Sequence, residues 1–241
     1  MRKGLFILVL NLISILIFSD CSKENPIEAK GEELTSVIDV DSNVYRVIRI
    51  GDQIWMAENL KVIHYRNGDA IEYVTNAASW SSYLVGAYCT YDNRNNIPYG
   101  CLYNWYAVSD SRGLAPEGWH VASDAEWKIL EMNLGMSQSE ADRSGWRGNG
   151  VASKLKESGT IHWRAPNSDA NNQSGFTALP GGYRYSEGDY LGGGYSAEFW
   201  TSTKQAYINV AYQRVLYSDS TKVLRASTSK QNGCSIRCIK D

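Results

Sequence analysis

Histidine is scarce in this sequence. Only three occur, and His64, His120 and His162 are spaced too widely along the chain to match a metal-ligand motif. A G-x-S-x-G elbow, a P-loop and a dinucleotide fingerprint are absent; the run Gly192-Gly193-Gly194 has the wrong spacing and follows no clear strand. No two cysteines stand in C-x-x-C spacing, which excludes thioredoxin-type and zinc-ribbon chemistry. An excess of one charge is lacking too. With 24 basic and 26 acidic side chains the formal charge is −2, so electrostatics favours neither nucleic acid nor anionic lipid as a partner. No internal repeat is present. Together these gaps argue against an enzyme and turn attention to binding or structural roles.

Aromatics with a polar edge are abundant. The 241 residues include 16 Tyr and 8 Trp but 4 Phe, alongside 21 Gly. That balance suits a loop-rich β protein or a binding surface better than a helical bundle. Hydrophobic residues at 43% supply enough apolar mass for a sizeable core.

The start of the chain has the layout of an export signal. Met1-Arg2-Lys3 is basic, and Leu5–Phe18 is apolar except for Asn11 and Ser14. Cys21 follows directly, as in bacterial lipoprotein signals, where the thiol receives the lipid and becomes the new amino terminus. Asp20 stands where such signals carry a small residue, a looser form found in Bacteroidetes. The expectation is a signal peptide over 1–20, palmitate-type acylation at Cys21 and an outer-membrane lipoprotein, held to the membrane by its lipid and open to surface exposure. Residues 21–38 are mostly polar and read as a tether. One domain then spans 39–241.

Local signals punctuate that domain. Asn43–Ile50 and Gln53–Met56 flank Gly51-Asp52 and read as a β-hairpin. Ser123 and Glu126 form a capping box before Trp127, Leu130 and Leu134, with Gly135 as the stop; Ser137 and Glu140 repeat the pattern. Leu102–Val108 is ambiguous between strand and helix by period. Gly175–Trp200, with its glycines and tyrosines, reads as long loops with short strands. Tyr207–Tyr217, Thr221–Ser227 and Gly233–Ile239 read as strands. The cysteines after Cys21 number four, which suits disulfides in an exported chain. A bond between Cys234 and Cys238 would close a short strained loop, so pairing each with one of Cys89 and Cys101 is the more natural arrangement.

Six ordered blocks carry a family resemblance. They are Ile50–Leu60 (IGDQIWMAENL), Tyr99-Gly100 with Leu102–Val108, Ala115–Val121 with Asp124–Trp127, Ser174–Arg184 (SGFTALPGGYR), Phe199–Thr203 and Ser235–Asp241. In this order they resemble the Fibrobacter succinogenes major paralogous domain, over nearly all of 40–241. The resemblance brings no established activity. Its distant likeness to C-type-lectin-like and formylglycine-generating-enzyme-like domains implies an α+β, C-type-lectin-like fold: two helices, small antiparallel sheets and long Gly/Tyr-rich loops. It also implies the pairing Cys89–Cys238, from cysteines common in the family, with the extra residues Cys101 and Cys234 forming a second disulfide.

Function is then expected to be non-enzymatic. Tyr183, Tyr185, Tyr190 and Tyr195 are the candidate ligand-binding residues, suited to stacking on a glycan or packing on a surface protein. The alternative is a structural surface lipoprotein with an assembly or coating role. No cofactor is expected. The loops 92–96 and 167–172 hold oxygen donors of the Ca²⁺ type, but turns closed by their own Asx side chains explain them better. Trp105, Trp127 and Trp200 are expected in the core, and Tyr190 and Tyr195 at the surface.

Overall fold

A computed structural model describes residues 35–94, 97–207 and 209–241. The expected signal, the expected lipid acceptor Cys21, most of the expected tether and part of the 92–96 loop lie outside the described residues. The chain begins with β1 (Ser36–Ile38), β2 (Val44–Ile50), β3 (Gln53–Met56) and β4 (Glu72–Tyr73). Next come α1 (Ala77–Ser82), β5 (Ala87–Cys89), β6 (Leu102–Tyr103), α2 (Trp105–Val108) and β7 (Trp119–Val121). Then follow α3 (Asp124–Asn133), α4 (Gln138–Asp142), β8 (Gly145–Arg147) and α5 (Val151–Leu155). The last part holds β9 (Gly181–Arg184), β10 (Tyr190–Gly193), β11 (Ser196–Lys204), β12 (Val210–Tyr217), β13 (Val223–Ser229) and β14 (Cys238–Lys240). Residues 36–38, read as tether, are therefore an edge strand of the domain.

Three sheets result. The first is antiparallel, in the order β1-β2-β3-β14-β7, so the last strand of the chain lies between two much earlier ones. The second runs β10-β9-β11-β12-β13-β8, with β9 and β11 parallel. The third is β4-β5-β6.

This architecture overturns the expected C-type-lectin-like arrangement of two helices with small antiparallel sheets. Among the described residues there are five α-helices and sheets of five, six and three strands. The misreading lies in Gly175–Trp200. Its glycines serve close strand contacts rather than long loops, and β9, β10 and half of β11 form there. Gly182 shows why: its φ is 62°, and a Cβ would come within 2.4 Å of the Leu191 carbonyl oxygen and 2.6 Å of the Tyr91 ring. Any side chain would push β10 and Tyr91 off β9.

Local rules elsewhere hold. Gly51 takes φ 59° in the turn joining β2 to β3, with Ile50 paired to Gln53. Both capping boxes form: Ser123 N–H donates to Glu126 Oε2 at 2.7 Å, and Ser137 N–H to Glu140 Oε2 at 3.1 Å. The ambiguous 102–108 segment divides at Asn104, whose carboxamide caps α2 through the Ala107 N–H.

Helix α3 presses Trp127 and Leu130 into a core shared with Trp55, Phe176, Phe199, Leu216 and Val223. The same helix is bonded ionically to the six-stranded sheet. Arg225 donates twice to Asp124, Arg214 bridges Asp124 and Glu131, and Arg147 donates to Glu131. Burial works to raise the Asp124 pKa, but Arg225 and Arg214 outweigh it and bring it to about 2. A second core gathers Tyr45, Met56, Tyr103, Trp105, Trp200, Ile236 and Cys238 around the first sheet.

The expected disulfides are absent. Cys89, Cys101, Cys234 and Cys238 are all buried free thiols. Cys89 belongs to a small cluster around Trp80, whereas Cys238 packs in the core of the first sheet, so the expected pair serves different packing sites. Cys234 donates its thiol to Gln213 Oε1 rather than bonding Cys101. Burial pushes Cys89 up to about 11 and Cys101 to about 12, so all act as small apolar residues.

Candidate functional site

The blocks that carry the family resemblance meet at one buried residue. Arg237 donates Nε to Asn59 Oδ1 at 2.7 Å, Nη1 to the Met56 and Phe176 carbonyls, and Nη2 to the Thr177 carbonyl. Its guanidinium lies 4.3 Å from the Phe176 ring centroid. Burial lowers its pKa to about 9, the Glu58 charge partly opposing. The blocks IGDQIWMAENL, SGFTALPGGYR and SIRC thus encode a structural knot. A cleft of about 240 Å³ opens beside it, lined by Arg46, Glu58, Asn59, Glu157, Thr177 and Arg237, among other residues.

The histidines do not converge. His64 binds Asp41, His162 binds Glu157, and His120 lies between Glu126 and Asp241 at 2.7 and 2.6 Å. Burial acts to lower the His120 pKa, but the two carboxylates reverse the sign and raise it. Among the described residues no three His, Cys, Asp or Glu side chains gather as a metal site. In the 92–94 turn Asp92 pairs with Arg94, and in the second loop Asn167, Asp169 and Asn172 take positive φ in their own turns.

The four candidate tyrosines separate into two groups. Tyr190 is locked: its hydroxyl donates to Asn93 Oδ1 at 2.7 Å, its ring stands edge-on to Tyr91, and Arg184 covers it. It is half-buried rather than projecting, which corrects the expected exposure. Tyr195 is exposed, with Arg164 over its ring at 4.5 Å and bonded to its hydroxyl. Tyr183 lies on β9, on one face of the six-stranded sheet, and Tyr185 follows just past the end of that strand, exposed. Trp105, Trp127 and Trp200 are core residues, as expected.

That face of the sheet carries a continuous row. Register pairs Leu191 with Tyr183, Glu198 with Val215, Val215 with Leu224, and Leu224 with Trp146, while the parallel Gly182–Ala197 rung sets Tyr183 beside Glu198. One residue from each of six strands contributes. Tyr217 packs on Trp146 at 5.6 Å between ring centroids. The opposite face, with Ala197, Phe199, Leu216 and Val223, fills the core under α3. Trp146 is 46% exposed, Leu191 44% and Tyr185 39%, so the row is open at both ends. At its centre Val215 is 2% and Glu198 4% exposed, and among the described residues the hydrogen-bond partner of Glu198 is the Ser196 hydroxyl at 3.4 Å. Burial pushes the Glu198 pKa up to about 8. Burial, then the Glu198 charge, raises Tyr183 to about 12. Glu198, Trp146, Val215, Leu224 and Tyr217 were not picked out as site residues. The available signal was the alternation Ser196-Ala197-Glu198-Phe199-Trp200, which puts a carboxylate on one side of a strand with aromatics on both.

The motif residues build a structural knot on a three-sheet frame, and one face of the six-stranded sheet carries an aromatic row exposed at its two ends. The chain belongs to the Fibrobacter succinogenes major domain family, whose family model matches residues 48–240. The family takes its name from Fibrobacter succinogenes, and this replaces the Bacteroidetes attribution expected from the signal. No curated protein and no solved structure matches the chain.

Proposed function

We propose that this protein is a non-enzymatic, lipid-anchored binding module of the outer membrane, taking a glycan or protein ligand on the open face of its six-stranded sheet. The observation that carries this reading is the row from Leu191 to Trp146. Its ends, Leu191 and Trp146, are exposed while Val215 and Glu198 between them are buried, and exposed apolar side chains grouped around such a centre mark interaction surfaces. Tyr183 and Tyr185 of the Gly/Tyr-rich segment belong to this surface; Tyr190 contributes packing beneath it. The basic start, the apolar run and Cys21 support the lipid anchor, and the polar stretch that follows gives the domain reach from the membrane. Among the described residues no helix is long and apolar enough to cross a membrane.

Screening the detergent-solubilised full chain against a glycan array and a set of purified envelope proteins tests this reading. A double change, Tyr185→Ala with Trp146→Ala, should abolish the binding found while leaving the melting temperature nearly unchanged, because exposed substitutions cost about 0.5 kcal/mol or less. Undiminished binding by the double variant would move the site elsewhere.

A further inference from the structure

Glu198 differs from the other buried acids of this protein. Asp124 and Glu131 each meet two arginines, and Asp39 accepts from the Asp41 and Asn43 N–H groups, the Asn43 carboxamide and the Tyr45 hydroxyl. Among the described residues Glu198 has the Ser196 hydroxyl alone, and no Lys, Arg or His of them perturbs it. A carboxylate taken out of water without a counter-charge is costly, and a partner that brings the charge recovers that cost on binding. The surroundings favour one sign. Tyr183 on β9 and Tyr217 on β12 flank the carboxyl, and aromatic faces attract cations. The fold itself uses this pairing, with Arg184 over Tyr190 and Arg164 over Tyr195.

We propose that Glu198, Tyr183 and Tyr217 form a receptor for a lysine ammonium group of a protein partner, whose apolar side chains lie along Leu191, Leu224 and Trp146. The proposal rests on the reading of this face as a binding surface and adds the chemistry of the ligand. Neutral sugar hydroxyls would leave the carboxylate uncompensated. The aliphatic members of the row offer little to a sugar, whereas they suit the side chains beside a lysine in an extended segment. The lysine stem would cover apolar surface while its head reaches Glu198.

The test uses the full chain in detergent and a capped extended peptide with one lysine between valines, titrated calorimetrically. The same peptide with acetyl-lysine and a chitosan oligomer serve as comparisons. The lysine peptide should bind, and acetylation should weaken it about tenfold or more, as removing one partner of a buried charge pair does. Glu198→Gln, with its folding checked by thermal melting, should weaken it equally. Wild-type affinity provides a second measurement that needs no variant. It should rise from about pH 6 to about pH 9 as Glu198 ionises, while the lysine stays charged. The other titratable groups facing Glu198 are Tyr183, Tyr217 and Cys234, all raised by burial, and they stay neutral over that range. Equal affinity for lysine and acetyl-lysine peptides, a flat pH profile, or no binding of the lysine peptide overturns the proposal. Binding of chitosan in place of the peptide also overturns it, yet leaves the face as a binding surface, which the Tyr185/Trp146 double variant tests separately.

Discussion

Arg237 and Asn59 stand 178 positions apart in the chain and 2.7 Å apart in the fold, guanidinium Nε to carboxamide Oδ1. Asn59 in turn donates to the Tyr99 carbonyl and the Ser235 hydroxyl, so one buried pair joins the start, middle and end of the domain. Replacing Arg237 by Met keeps the volume and strips the donors from Asn59 and three carbonyls. Urea unfolding should show a loss of about 3 kcal/mol or more, since each buried acceptor left bare costs about 1–3 kcal/mol. A loss below about 1 kcal/mol would show that the knot contributes little.

Glu198 makes stability depend on pH in an unusual sense. Its folded pKa, about 8, lies above that of an unfolded glutamate. The folded state therefore holds the proton more tightly. The stabilisation is full below the unfolded pKa and is lost as pH rises through about 8. Wild-type urea midpoints should fall between about pH 5 and pH 8 more steeply than those of Glu198→Gln. Parallel curves for the two proteins would contradict this assignment.

The buried thiols should be indifferent to reductant. Alkylation without reductant in denaturant should modify Cys89, Cys101, Cys234 and Cys238, and dithiothreitol should leave the melting temperature unchanged. In the native state the same reagent should react slowly, because burial keeps these thiols protonated. A disulfide-linked peptide in the map would restore the pairing that the structure removes.

Lipidation is checked at Cys21. Metabolic labelling with a fatty-acid analogue should mark the wild-type chain and miss Cys21→Ser. Equal labelling of the two, or of neither, removes the anchor from the proposed function.

Short-range chemistry was legible in the sequence, and long-range register was not. The capping boxes at Ser123 and Ser137 and the Gly51 turn are written in neighbouring residues, and each formed as read. The Gly-rich segment misled because glycine serves loops and tight strand contacts alike; Gly182 is required by Leu191 and Tyr91, which its own neighbourhood does not reveal. The disulfide inference failed on a related point, since an even number of cysteines says nothing about which packing site each fills. Tyr183 and Tyr185 were recognised as candidates from composition. Trp146 and Glu198 were not, because strands from 145 to 224 must assemble before they share a surface.

The position of β14 has a consequence for biosynthesis. This strand fills the middle of the first sheet between β3 and β7, and Arg237 enters the core just before it. A ribosome-bound chain in which β14 has not yet emerged has an open sheet and an unfilled guanidinium site, so it cannot complete its core. Folding of the first sheet must wait for β14, however early its other strands are made.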